Sequence, residues 1–254
     1  MKILISPAKS LDYDRNVPTP ETSIPQFIEE ADYLAKKLGK FSAGKFEKMM
    51  HISKDLGELN FQRYQAWERP TALNENVKPA ATVFTGEVYR GLAIETFTED
   101  ELKKAQEDLR ILSGLYGMLK PLDLMYPYRL EMGTKWAVTP KKTNLYKFWG
   151  DKIADALNDE MQEGEFIVNL ASNEYFKVVN KKKIKAEIIT PTFKDLKGDT
   201  YKTIMMYAKN ARGAMAKQII QEGIKTIDEI KTLNIDGYQY SESMSEGNEF
   251  VFIR

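Results

Sequence analysis

Two rhythms of apolar and polar positions run along the chain, and the changes between them mark out its elements. Lys2 to Ser6 is an apolar run stopped by Pro7, which predicts a first strand. From Pro25 to Leu38, Phe27, Ile28, Ala31, Leu34, Ala35 and Leu38 fall at helical spacing, and Gly39 supplies the stop. A second helical region is predicted over Ala43 to Trp67. Ala81 to Thr85 reads as a buried strand. Thr98 to Leu109 predicts a helix, with Thr98 as N-cap and Glu101 three residues on as its capping-box partner.

Arg110 to Ser113 predicts the next strand, and Gly114 to Gly133 is irregular, rich in glycine, proline and aromatics. A helix is expected over Tyr146 to Met161, a strand over Glu165 to Leu170, and a helix over Asn173 to Val178 with Ser172 as its cap. Lys185 to Thr192 and Thr200 to Met206 read as a strand pair joined by Lys197-Gly198-Asp199. A long helix to about Glu222, a short one from Thr226 and a closing strand over Glu249 to Ile253 complete the pattern. Strands and helices alternate for most of the length, which predicts a mixed α/β class with a mixed sheet and surrounding helices. With no Pro/Ser-rich linker, internal repeat or low-complexity block, residues 1–254 are expected to form a single domain.

Composition narrows the chemistry. There is no cysteine, which excludes disulfides, thiolate metal sites and a cysteine nucleophile. The single histidine, His51, excludes a multi-histidine metal site within one chain and reads as structural. No metal and no cofactor are expected. Lys plus Arg equals Asp plus Glu, so any nucleic-acid binding must come from an asymmetric patch. The N-terminal apolar run is too short for a signal peptide, and no stretch reaches the ~18 apolar residues of a membrane helix. A cytoplasmic protein with no membrane partner, most simply a monomer, is the expectation.

Four loop segments carry candidate chemistry. Ser6 to Asp12 follows the first strand and offers Lys9, Ser10 and Asp12 as cation, hydroxyl and carboxylate; an ordinary polar turn is the alternative. Gly86 and Gly91 have phosphate-loop spacing, but Leu92 and Ala93 stand where Lys and Ser/Thr are needed. Arg129, in the long irregular segment, is either an anion ligand or the structural partner of Glu131. Asn169 to Tyr175 joins a strand to a helix start, either an anion seat or a simple cap. Lys9, Asp12, Arg129, Asn169, Glu174 and Arg212 are predicted to converge in one pocket if the protein is an enzyme, with a carboxylate as base or a desolvated lysine as nucleophile.

A fifth segment points to nucleic acid. A helix ending at Gly223 and a second beginning at Thr226, with Glu229 closing a capping box, are joined by the turn Glu222 to Lys225. Such a turn presents N–H groups to a phosphate, with Lys217, Lys225 and Lys231 nearby. A surface helix pair with solvated lysines is the alternative. Lys202, Lys209 and Arg212 are expected to share one helix face.

Taken together, the blocks SPAKSLD at 6–12, FTGEVYRGL at 84–92, LRILSGLYGMLKPLDLMYPYRLEMG at 109–133, LYKFWGDKI at 145–153, NLASNEYF at 169–176, KNARGAMAK at 209–217 and the closing EFVFIR resemble the YaaA family. The resemblance spans nearly the whole chain. It implies a role in bacterial defence against hydrogen peroxide, a link to limiting damage from free intracellular iron, and DNA binding. It also implies a single unusual α/β domain carrying a helix-hairpin-helix element and a positively charged cleft. By pattern, that element is placed at about 208–233, with Lys209, Arg212, Lys217, Gly223 and Lys225 on DNA of duplex or distorted form, held without sequence preference. The glycines two apart of the usual hairpin are missing there. An enzyme acting on a nucleobase or nucleotide is the alternative function, and direct iron sequestration a third.

Overall fold

The computed structural model describes residues 1–19 and 21–254. In its first half come β1 (Lys2–Ile5), α1 (Ile28–Leu38), α2 (Ala43–Met50), α3 (Lys54–Gln65), β2 (Lys78–Pro79), α4 (Ala80–Val83), α5 (Glu87–Leu92) and α6 (Glu99–Asp108). Next come β3 (Leu109–Ser113), β4 (Gly117–Leu119), β5 (Leu124–Met125), α7 (Leu145–Trp149), α8 (Lys152–Glu160), β6 (Phe166–Asn169) and α9 (Asn173–Phe176). The chain closes with β7 (Glu187–Lys197), β8 (Thr200–Lys202), α10 (Met205–Glu222), α11 (Ile227–Thr232), β9 (Gln239–Tyr240) and β10 (Glu249–Ile253).

The main sheet runs β4-β3-β1-β6-β7-β10-β9, with β8 added to β7. Neighbours from β3 to β10 pair in parallel, while β4, β8 and β9 pair antiparallel. The fold is therefore mixed α/β. Every residue of β1, β3 and β6 is buried, as parallel strands covered on both faces must be. The chain places β3 on one side of β1 and then β6 on the other. That reversal opens a crevice at the carboxyl ends of β1 and β6, the usual place for a ligand in such sheets.

Close backbone approach explains two glycines. A Cβ on Gly213 of α10 would meet the Val88 carbonyl at 1.8 Å, and one on Gly91 of α5 would meet the Asn210 carbonyl at 2.1 Å. Gly91 is thus a packing residue between α5 and α10. Thr98 and Glu101 form the expected capping box at the start of α6.

Several expectations need correction. Ala81 to Thr85 is not a strand: Ala80–Val83 is a turn of helix, with all four residues buried and Thr82 Oγ1 donating to the Pro79 carbonyl at 2.8 Å. A short apolar run does not distinguish the two by periodicity. The helix over 43–67 breaks at His51, whose φ of 53° is left-handed. The helix over 146–161 breaks at Gly150, at φ 54°. Lys202 lies on β8, so it does not share a helix face with Lys209 and Arg212. The late hairpin is also displaced, since β7 runs on to Lys197 and the following helix already starts at Met205.

Candidate nucleic-acid interface and loop cleft

Three loops meet beyond the carboxyl ends of β1, β3 and β6. Ser6 Oγ accepts the Ser172 N–H at 2.9 Å and lies 3.3 Å from Ser172 Oγ, which joins the loops after β1 and β6. Lys9 Nζ sits 2.7 Å from Glu131, and Arg129 Nη2 donates to the same carboxylate at 3.1 Å. Gly114, at the end of β3, lets the 128–133 segment lie directly on it: a Cβ there would meet the Leu130 carbonyl at 2.2 Å. Glu174 fixes the far end of that segment by accepting the Gly133 N–H at 2.9 Å.

The cleft therefore brings together Lys9, Arg129 and Glu174, with Glu131 as the link that the sequence pattern did not single out. The other pocket candidates behave differently. Asp12 accepts the N–H groups of Asp14 and Arg15, at 3.0 and 3.1 Å, and so shapes its own turn. Ser10 is exposed, and its carbonyl accepts the Thr85 N–H. Asn169 is buried, with Oδ1 accepting the Ala171 N–H and Nδ2 reaching Thr190. Arg212 on α10 has a buried Nε with no hydrogen-bond partner among the described residues, and burial alone pushes its guanidinium down from its usual range.

Lys209 and Lys225 are exposed and Lys217 is half-buried. Gly223 adopts a left-handed conformation at the end of α10, φ 71°. The turn after it holds a carboxylate already. Glu229 accepts the N–H groups of Lys225 and Thr226 at 2.9 and 2.8 Å, and the Thr226 hydroxyl at 2.9 Å. Those bonds hold the Glu229 carboxyl below its ordinary range. A phosphate meets the same donors only by displacing Glu229.

A different surface has the character expected of a polyanion site. A groove of about 1020 Å³ is lined by Lys37 and Lys40 at the end of α1, by Lys45 and Lys48 of α2, and by Lys135. Phe41, Met49 and Trp136 supply its apolar part, and no carboxylate lines it. Among the described residues none of the five lysines has an ion-pair partner; Lys45 instead lies over the Phe41 ring at 3.5 Å. The start of α2 faces the same groove through Ser42 and Gly44, and its first turn has no acid. The positive end of the helix thus adds to the lysines.

Beside the groove, α2 and α3 pack closely against each other and are joined through His51-Ile52-Ser53. Gly57 permits the contact: a Cβ there would meet Glu47 Cγ at 2.5 Å and the Ala43 carbonyl at 3.0 Å. Ser53 caps α3 through the Leu56 N–H. Among the described residues, the N–H groups of Ser53, Lys54 and Asp55 have no acceptor. The pair ties to the cleft as well, since Tyr64 of α3 donates to the Arg129 carbonyl at 3.1 Å.

Comparison with known proteins fits this arrangement into a family. The profile described as peroxide stress protein YaaA matches residues 1–244. The chain belongs to the YaaA family. A UPF0246 protein of Saccharophagus degradans is 48% identical over all of this chain and 99% of its own length. A UPF0246 protein of Flavobacterium psychrophilum is 45% identical over the whole of both chains, and one from Aliivibrio fischeri strain MJ11 is 47% identical over all of this chain and 98% of its own. These relatives span the groove and the cleft of this YaaA chain alike. Among the described residues, no group of three or more His, Cys, Asp or Glu side chains is placed to hold a metal ion, and no helix is long and apolar enough to cross a membrane.

Proposed function

We propose that this protein serves peroxide stress by holding DNA through its phosphate backbone, along the groove between α1, α2 and residues 135–138. The observation that carries the reading is the set of five lysines lining one groove without a carboxylate. Phosphate contacts of this kind position nucleic acid and read no sequence. The α2–α3 turn supports it, because its three N–H groups lack an acceptor and suit a phosphate oxygen. The helix-hairpin-helix role is accordingly assigned to 43–65, and Lys209, Lys217 and Lys225 form at most an outer, long-range field. Binding protects the DNA itself, which puts the link to free iron at the target of the damage.

The test is a salt titration of purified protein against a labelled duplex, with a bubbled duplex alongside. Affinity on the order of micromolar, falling steeply with salt, is expected. Lys45→Gln/Lys48→Gln lowers the magnitude of the salt slope by about two, one for each phosphate no longer neutralised. An unchanged slope in that variant sinks the groove assignment.

A second reading rests on the cleft. Lys9, Arg129, Glu131 and Glu174 come from loops after two strands and a neighbouring helix start, a placement suited to an enzyme acting on a nucleobase or nucleotide. Turnover of a nucleotide that is lost in Lys9→Gln and kept in the groove variant favours this reading over simple binding.

A further inference from the structure

With eleven methionines and no cysteine, the thioether is the sulfur group that a peroxide meets on this chain. Most of these thioethers are sheltered. Met50, Met118, Met125, Met132 and Met215 are buried, and Met1, Met49, Met161 and Met244 are half-buried. The remaining two stand side by side. Met205 and Met206 open α10 and are 59% and 52% exposed. Exposure of a thioether sets how readily an oxidant reaches its sulfur, so the first two positions of α10 lead the chain in reactivity.

Met206 also lines a cavity of about 260 Å³, together with Glu87, Arg90, Asn210, Asp236 and Arg254. Arg90 Nη1 pairs with Glu87 at 3.1 Å. Arg254 Nε donates to Asp195 at 2.9 Å and its Nη1 to the Asp236 carbonyl at 3.1 Å, while the guanidinium lies over the Tyr238 ring at 4.2 Å. The carboxylates of Glu87, Asp195 and Asp236 thus outnumber the two guanidiniums, and the cavity has no charge to offer a foreign anion. Donors are left over all the same. Arg90 Nη2 and Arg254 Nη2 donate to nothing among the described residues. A neutral, strong acceptor fits such a place, and a thioether is only a weak one.

We propose that Met205 and Met206 are the chain's site of oxidation by hydrogen peroxide, and that the cavity beside Met206 receives the sulfoxide formed there. The thioether sulfur attacks one peroxide oxygen. An S–O bond forms, the O–O bond breaks, and the sulfur loses two electrons. The proton of the transferred oxygen passes to the departing hydroxide, which leaves as water. The product is a neutral S=O group, and its oxygen accepts from the spare guanidinium N–H groups of Arg254 and Arg90, a charge-assisted bond. Sulfoxide in a packed core disrupts it, whereas here the oxidised side chain gains partners without entering the core. The change is reversible by reductases of the methionine sulfoxide class. The site shares no residue with the lysine groove, so the two assignments fail independently.

Peptide mapping by mass spectrometry of the full chain, sampled during exposure to limiting hydrogen peroxide, tests the site. Sulfoxide at Met205 and Met206 is expected to form at least about fivefold faster than at any other methionine, in the order of exposure. Oxidation at Met161, Met244 or a buried methionine at a similar rate overturns the assignment. A urea titration tests the cavity, using Met205→Leu so that Met206 is the one reactive surface thioether. After limiting peroxide its unfolding equilibrium constant is expected to fall at least about threefold, the effect of one net hydrogen bond gained. Met205→Leu/Met206→Leu treated in the same way shows no such fall. A constant that stays level or rises on oxidation of Met205→Leu overturns the role of the cavity, as does an equal fall in the double variant.

Discussion

Two pairs of consecutive helices in this molecule, α2–α3 packed closely together and α10–α11 barely touching, have opposite chemistry at the turn. In α10–α11 the turn N–H groups of Lys225 and Thr226 end on the carboxylate of Glu229. In α2–α3 the N–H groups of Ser53, Lys54 and Asp55 end on nothing among the described residues, and the pair borders a groove of five unpaired lysines. A capping box stabilises a helix start by supplying its own acceptor, and in doing so it closes that start to a foreign anion. Ser53 caps only the Leu56 N–H, at 3.4 Å, and leaves the rest exposed. The helix hairpin by itself is therefore a poor guide to phosphate binding. The acceptor already present at the turn decides.

The sharpest way to break the comparison is charge reversal. Lys45→Glu/Lys48→Glu removes two cations from the groove and adds two like charges to a phosphate backbone. DNA affinity at 0.1 M salt is expected to fall by about a hundredfold, given roughly tenfold for each phosphate released or opposed. Lys217→Glu/Lys225→Glu alters only the outer field and is expected to cost less than about threefold. Fluorescence anisotropy on one duplex compares them directly. Equal losses in the two variants would falsify the division drawn between the hairpins.

A second test acts on the scaffold of the α2–α3 pair. Gly57→Val forces side-chain volume against Glu47 and the Ala43 carbonyl, where even a Cβ lacks room. Overpacking of this kind costs about 1–3 kcal/mol, read as a lower urea midpoint. The folded fraction should also lose DNA affinity, because the turn N–H groups move with α3. Wild-type stability in Gly57→Val would mean that α2 and α3 can separate at no cost, and the hairpin would not be a rigid phosphate seat.

The difference between the pairs also explains how far the sequence could be read. The strands β1, β3 and β6 announce themselves, because burial on both faces writes continuous apolar runs. The α10–α11 pair was equally visible, since Gly223, Thr226 and Glu229 are a stop, a cap and a capping-box partner in sequence order. The break in 43–67 was not: a histidine in left-handed conformation replaces the glycine that would have marked it. The groove was hidden for a different reason. Residues 36–48 hold five lysines and one acid, a visible imbalance in a neutral chain, yet the opposite wall comes from Lys135 and Trp136, far along the chain. The cleft was partly legible because Lys9, Arg129 and Glu174 stand in loops after strands or at a helix start. Asn169 and Asp12 stand there too, but Asp12 shapes its own turn and Asn169 is taken up by the Ala171 N–H and by Thr190 of β7. Loop position alone does not separate a side chain that faces a ligand from one that shapes its own turn.

The smallest effect expected is at Glu229, and its sign follows from the bonds it accepts. The N–H groups of Lys225 and Thr226 and the Thr226 hydroxyl all donate to the charged carboxylate, which places its titration below the ordinary 4.5. A lowered carboxyl stabilises the fold fully above its unfolded value and loses that contribution as pH falls through the folded value. Between neutral pH and 4.5 the α10–α11 turn should therefore be unchanged. Below 4.5 the Lys225 and Thr226 amides should begin to exchange faster, while those of Ser53 and Lys54, which have no such acceptor, show no step there. Amide exchange followed by NMR checks both. A midpoint at or above 4.5 would mean that the carboxylate does not hold the turn in solution. Glu229→Gln, which weakens the occupant of the seat and removes its charge, is expected to raise DNA affinity by less than about twofold, because Lys217 and Lys225 contribute only at long range. A tenfold gain would instead show that both hairpins are phosphate seats and that only the carboxylate keeps one of them closed.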